Sequence, residues 1–259
     1  MRRIIAAAAL AALLAGCAGT EDLVASAEVV RFLPREVADR VNVAEFSAQR
    51  PGEAPHPPWE PYILLPSKPR TDYQLVRTDI GVALQATAES SASGKVRKIR
   101  IDPMRHPTIE WRWRVDALIP GMDKRYAATE DSPVRLILSF HGDPRRLDFS
   151  ARTQLRMAKA LSGRALPYAT LMYVWAKDLP VGTVIENPHT DRIRMIVVAT
   201  GEEGLGAWQS YRRNVVDDYR AAFGEDPWDI VAVGLMTDAD NTRQWARGLY
   251  GDIAFLRTP

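Results

Sequence analysis

The chain has 259 residues, 34 basic against 32 acidic side chains, 46% hydrophobic residues and a single cysteine. That length can bury one sizeable core, and the near balance of charge excludes the polyanion-binding surface that nucleic-acid readers carry. One cysteine excludes an internal disulfide framework or a thiolate metal site.

The N-terminus reads as an export signal. Arg2 and Arg3 precede an apolar run from Ile4 to Ala15, which falls short of the roughly 20 residues a permanent span requires. Leu14-Ala15-Gly16-Cys17 then matches a lipobox, so cleavage before Cys17 and acylation of its thiol are expected. Two or three acyl chains, at ~0.8 kcal/mol per buried CH₂, give stable anchoring. Residues 1–16 are expected to be a lipoprotein signal peptide and residues 17–42 the lipidated cysteine and a tether. Residues 43–259 are expected to form a single domain. Ala18 rather than Asp follows the cysteine, which favours the outer membrane, facing the periplasm. Without Arg2 and Arg3 the remaining chain balances at 32 basic and 32 acidic groups.

Val43-Ala44-Glu45-Phe46 reads as a first strand. The proline-dense stretch from Pro51 to Pro69, with Trp59 and Tyr62 inside it, excludes a helix and suits extended edge segments. Tyr73–Val76 and Val82–Ala86 flank a turn at Asp79-Ile80-Gly81. Val96–Ile101 follows a polar loop at Ser90–Gly94. Ile109–Val115 alternates most clearly, with Trp111 and Trp113 on one face and Arg112 and Arg114 on the other. Val134–Phe140, Tyr168–Trp175, Ile193–Thr200, Ile230–Met236 and Asp252–Leu256 bring the expected total to about ten strands. Two helices are expected, at Arg152–Leu161 and at Trp208–Phe223. In the second, Trp208, Tyr211, Val215, Tyr219 and Phe223 recur at helical spacing before Gly224. Many strands without strand–helix alternation predict a mostly β fold, an antiparallel jelly-roll-type sandwich with two peripheral helices.

Several blocks carry a resemblance. They are Trp111-Arg112-Trp113-Arg114-Val115, Asp131-Ser132-Pro133-Val134-Arg135, Tyr173-Val174-Trp175 and Asn214 to Tyr219 leading to Phe223-Gly224. Met236 to Thr242 and Tyr250-Gly251-Asp252-Ile253 complete them. Over roughly residues 43–256 the chain resembles the bacterial domain-of-unknown-function family 3047. The resemblance implies no activity that can be carried over, and its strand pattern looks like the jelly rolls of carbohydrate-binding modules, an analogy of fold alone. Where the family pattern often has two adjacent aspartates, this chain has Glu130-Asp131.

The most unusual polar segment is Thr237-Asp238-Ala239-Asp240-Asn241-Thr242. Asp238 and Asp240 are two residues apart, and Asn241 adds a carbonyl oxygen. Joined by Asp131, they would make an oxygen-rich site that suits Ca²⁺, with Glu130, Asp217 and Asp218 as further donors. The alternative is that these carboxylates cap turns or pair with Arg135 and Arg243. The glycine and distal glutamate of an EF-hand are missing. Trp111 and Trp113 either stack on sugar rings or fill the inner face, and an alternating central strand favours the inner face. Arg112 and Arg114, with Arg135 in the following strand and Glu110, would line a polar sheet face able to fork-bond carboxylates or hydroxyls. No two of His56, His106, His141 and His189 have zinc-ligand spacing, and no hydrolase or phosphate-loop motif is present. These features favour an envelope-anchored, non-catalytic binding protein for a glycan or another polar envelope ligand, with Arg112, Arg114, Asp131, Arg135, Asp238, Asp240 and Asn241 as its site. The rivals are a polysaccharide hydrolase or lyase using Asp131, Asp238 or Asp240, and a structural assembly factor.

Overall fold

The computed structural model describes residues 33–257 apart from 64–65, 163–165 and 188–189. The signal segment, Cys17 and most of the tether therefore lie outside the described residues, as do Leu64, Leu65 and His189.

Among the described residues thirteen strands form two sheets packed as a jelly-roll-type sandwich, three more strands than the sequence suggests. The six-stranded sheet contains β1 (Arg40–Ala44), β3 (Asp72–Thr78), β4 (Gly81–Glu89), β6 (Thr108–Val115), β11 (Trp208–Asn214) and β13 (Trp245–Leu256), in the order β11-β6-β13-β4-β3. Strand β13 is the centre of this sheet. It pairs with β6 along one side, with β4 through Trp245–Tyr250, and with β1 through Ile253–Leu256.

The seven-stranded sheet contains β2 (Glu60–Ile63), β5 (Ala92–Ile101), β7 (Ser132–Phe140), β8 (Ala169–Ala176), β9 (Val184–Asn187), β10 (Thr190–Thr200) and β12 (Ile230–Asp238). Its order is β2-β5-β12-β7-β8-β10-β9. Pairing is antiparallel except for β8 with β10, which run parallel. The chain passes from β4 to β5, β5 to β6 and β6 to β7 by changing sheets each time, whereas β3–β4, β7–β8 and β9–β10 are sequence neighbours that pair within a sheet.

The sequence pattern explains the layers. Strand β6 alternates without a break, burying Ile109, Trp111, Trp113 and Val115 while Glu110, Arg112 and Arg114 point away from the core. Opposite them β7 contributes Val134, Leu136, Leu138 and Phe140, and β8 contributes Leu171, Tyr173 and Trp175, to one continuous core. Trp111 lies between two tyrosines, with ring centroids 4.8 Å from Tyr173 and 4.9 Å from Tyr211, both stacked. Such aromatic pairs contribute about 0.5–1.5 kcal/mol beyond their buried area. Trp111 and Trp113 thus fill the interior.

Two features tie the sheets together. The Tyr250 hydroxyl of β13 donates to the Met236 carbonyl at 2.6 Å and accepts the Arg135 N–H at 3.2 Å, both in the other sheet. Gly248 lets the layers converge, because a Cβ there would lie 2.4 Å from the Pro133 carbonyl oxygen.

Three local expectations require correction. Helix α1 spans Phe149–Ser162, longer than expected at both ends. Residues 208–223 are not one helix: Trp208–Asn214 is strand β11, and only Val215–Phe223 is helical, as α2. The Asn214 side chain accepts from the Val216 and Asp217 N–H groups and so starts α2, while Gly224 at φ +70° ends it as foreseen. The first strand covers Arg40–Ala44 rather than residues 43–46, and Phe46–Ala48 is a 3-10 turn. Further upstream, Arg35 bridges to Arg100 and pairs with Asp229 at 2.7 Å, so the domain begins before the expected boundary at residue 43. Among the described residues no helix is long and apolar enough to cross a membrane.

Candidate functional site

The outward face of the six-stranded sheet carries an open groove of about 420 Å³ lined by Arg40, Glu110, Trp111, Arg112, Ser210, Tyr211, Arg212 and Asp252. Its volume is in the range of small-molecule sites. Register accounts for the lining: Ser210 faces Arg112 and Arg212 faces Glu110 across the β11–β6 pair, while Tyr211 faces Trp111 from beneath. Asp252 lies where a bulge interrupts the β13–β6 ladder between Tyr250 and Ile253, a device that re-aims side chains at a sheet face.

The charges in the groove are unevenly satisfied. Glu110 accepts from Arg212 at 2.6 Å and from Arg40 at 3.2 Å. Asp252 is held by Ser47, whose N–H and Oγ donate to its two oxygens at 2.9 and 2.5 Å. Arg112 approaches Asp252 only to 3.6 Å, beyond hydrogen-bond range. Arg114, next along the outward face, is spent elsewhere. It donates to Asp116 at 2.7 Å, and Arg247 binds the other oxygen of Asp116 at 2.6 Å. Burial pushes the Asp116 carboxyl up, but the two guanidinium groups outweigh it and hold it below the usual carboxylate range.

The acidic loop forms a separate cluster on the seven-stranded sheet. Carboxylate oxygens of Asp131, Asp238 and Asp240 lie within 4.8 Å of one another, so these three residues converge as the sequence suggested. Each is already engaged. Asp131 is fully buried and caps the turn after β12, accepting from the Asn241 and Thr242 N–H groups at 3.2 and 2.7 Å and from the Thr242 hydroxyl at 2.6 Å. These three bonds hold a turn in which Arg243 adopts φ +56°, a conformation non-glycine residues adopt only where surroundings enforce it. Asp238 takes both oxygens to Arg135, each at 2.8 Å, with both side chains 4% exposed. Asp240 pairs with Lys68.

Lys124, also buried, donates to the Glu130 and Asp131 carbonyls. Burial pushes its ammonium well below the ordinary lysine range, and the nearby Arg135 charge adds to the effect. Burial works against the Arg135 charge as well, but the Asp238 and Glu130 carboxylates more than offset it and keep the guanidinium ionised. Lys68, Arg135 and the Lys124 amine thus stand among the three aspartates. A divalent ion binds where carboxylate lone pairs converge unopposed, and this donor set does not fit Ca²⁺.

Glu130 borders that cluster, its carboxylate acting on Arg135 and Lys124, whereas Asp217 and Asp218 stay apart from it. Asp218 accepts from the Tyr173 hydroxyl at 2.8 Å and from Arg213 at 2.7 Å, fastening α2 to the core. Burial, reinforced by the Asp218 charge, raises the Tyr173 hydroxyl well above its ordinary pKa. Asp217 is exposed on α2 beside Arg220. His106, in the loop between β5 and β6, is fully buried with its Nε2 2.7 Å from the Ala38 carbonyl.

The expected single site therefore divides. Arg112 belongs to the groove and Arg114 to an ion-paired triad, while Asp131, Arg135, Asp238, Asp240 and Asn241 build the buried cluster. The physical reason is the crossover between β6 and β7: Arg112 and Arg135 are close in sequence but lie in different sheets. Sequence reasoning missed Arg40, Ser210, Arg212 and Asp252 as lining residues. The alternation of β11 carried the signal for Ser210 and Arg212, and the helical reading of that segment concealed it.

Fold and groove together define an all-β sandwich with an open polar groove on one face. The chain belongs to the family described as "Protein of unknown function (DUF3047)", whose profile matches residues 57–254. No curated protein matches it. Among solved structures it is similar to a loop-swap mutant of Necallimastix patriciarum Xyn11A, with 9% identity, coverage of 84% of this chain and 92% of that one, and a TM-score of 0.31. It is also similar to a mutant of ENZbleach xylanase, with 10% identity, coverage of 87% and 96%, and a TM-score of 0.33. No residue role is carried over from either.

Proposed function

We propose that this protein is an envelope lipoprotein whose sandwich domain binds a polar ligand, a glycan, in the groove of the six-stranded sheet without acting on it. The single observation behind this reading is the groove itself: forked arginine donors, carboxylate acceptors and the Ser210 hydroxyl line one open face of the sheet. Polar sugars are recognised by planar hydrogen-bond networks of that kind. A binding rather than a hydrolytic role is supported by the state of the carboxylates. Glu110 is clamped between two arginines and Asp252 is fixed by Ser47, whereas an acid–base pair needs one member poised to exchange a proton with substrate. The location follows from the lipobox at Cys17 and from Ala18 after it, giving lipid attachment to the outer membrane, facing the periplasm.

Isothermal titration of the protein against envelope polysaccharide fragments tests the binding. Saturable binding that Arg212→Ala weakens is expected. Release of new reducing ends during incubation would refute the non-catalytic assignment, and absence of binding to every fragment would refute the glycan. Labelling with palmitate in cells should mark the wild-type chain and spare Cys17→Ser; equal labelling would remove the anchor.

A further inference from the structure

We infer that the groove selects a saccharide bearing a carboxylate, and that Arg112 reads it; this rests on the glycan-binding role proposed above for the same groove. The cations of the groove differ in how far their hydrogen-bond donors are used. Arg40 is spent on Glu110 and on the Asn42 side chain at 3.0 Å, and Arg212 on Glu110. The neighbouring acid, Asp252, has each oxygen engaged by Ser47. Arg112 is left 3.6 Å from Asp252 with its side chain 32% exposed, and among the described residues it donates no hydrogen bond. A guanidinium offers five N–H donors in a planar fork, and here the fork faces an open groove.

Its direction is set by an absent side chain. The stem of Arg112 lies across Gly251 in the β13 bulge, where a Cβ would fall 2.5 Å from Arg112 Cγ and 2.9 Å from its Nε. Gly251 is not at positive φ, so this glycine serves close approach rather than backbone conformation. The arginine is thereby laid flat and pre-organised, which limits the rotamer entropy lost on binding. A carboxylate accepts two parallel N–H bonds from such a fork and matches its charge, whereas a sugar hydroxyl accepts singly and without charge. Ser210, directly across the strand pair from Arg112, supplies a hydroxyl beside the same position.

The test is titration of the full-length protein with trigalacturonate and with its methyl ester, which keeps the sugar and removes the charge. Trigalacturonate is expected to bind at least about tenfold more tightly than the ester, the factor corresponding to about 1.4 kcal/mol. Arg112→Lys, which keeps the charge and loses the fork, should collapse that ratio toward one. Gly251→Ala should do the same without touching the ligand, because it displaces the Arg112 stem. Arg114→Ala, on the same strand face but committed to Asp116, should leave the ratio intact. Equal affinity for acid and ester would overturn the carboxylate inference while sparing a glycan site. Retention of the full ratio in Arg112→Lys and Gly251→Ala would overturn the role of Arg112. Failure of both sugars to bind would count against the groove as a glycan site altogether.

Discussion

Removing the Asp238 carboxylate should be among the most damaging single changes available in this chain. Its two oxygens take both donated bonds from Arg135 at 2.8 Å, and each side chain is only 4% exposed. In Asp238→Ala the guanidinium stays buried between β7 and β12 without its partner, and water cannot reach it without opening the sheet face. Breaking such a pair costs about 3–5 kcal/mol, which for a domain of this size lowers Tm by roughly 6–20 °C. Replacing both residues, as Arg135→Leu with Asp238→Leu, removes the stranded charge. The Glu130 carbonyl that Arg135 also serves keeps its bond from Lys124. The double variant should therefore lie within about 1 kcal/mol of the wild type. Urea unfolding followed by tryptophan fluorescence, with thermal melts by circular dichroism, measures the wild type, Asp238→Ala, the double variant and its two leucine singles. A single-variant cost below about 1 kcal/mol, or a double variant as unstable as the sum of its singles, would refute the reasoning.

The same cluster predicts indifference to calcium: neither millimolar CaCl₂ nor a chelator should move the melting temperature, because Lys68 and Arg135 already engage Asp240 and Asp238, and Asp131 is spent on its turn. A calcium-dependent rise of several degrees would show that the cations yield to the ion. Acid stability should depend in part on Asp116, whose carboxyl sits below its ordinary pKa between Arg114 and Arg247. A lowered folded-state pKa means that the unfolded chain binds the proton more readily. Its contribution is therefore present above the ordinary carboxylate pKa of about 3.9 and disappears as pH falls through the lowered value. Asp116→Asn should flatten the acid limb of a urea-midpoint profile between pH 5 and pH 2; an unchanged limb would remove Asp116 from the account.

The sandwich was legible because its strands announce themselves at period two. Strand β6 is the clearest case: its tryptophans and arginines alternate in the sequence and separate cleanly into core and groove. Segment 208–223 misled because Trp208, Tyr211 and Val215 mimic helical spacing, while Tyr211 is in fact placed by stacking on Trp111, a contact from another strand. The stronger local signal was Asn214, an N-cap residue that marks where the helix begins. The convergence of Asp131 with Asp238 and Asp240 was legible in outline. Pairing with Arg135 was among the alternatives the sequence offered, and it is what Asp238 does; the arrival of Lys68 and Lys124 was not legible, since these come from separate stretches joined only by the crossovers. The groove stayed hidden for a similar reason. Arg40 and Asp252 reach it through the β1–β13 pair, which joins the two ends of the domain.

That last pairing bears on when the protein can fold. Strand β13 follows β1, β4 and β6 in the chain, and all three wait for it as a hydrogen-bonding partner. Until it joins them, half of the sandwich has no interior strand, and its tryptophans have only part of the surface against which they pack. Long-range pairing of this kind is slow to establish, so the six-stranded sheet closes from its own centre and late.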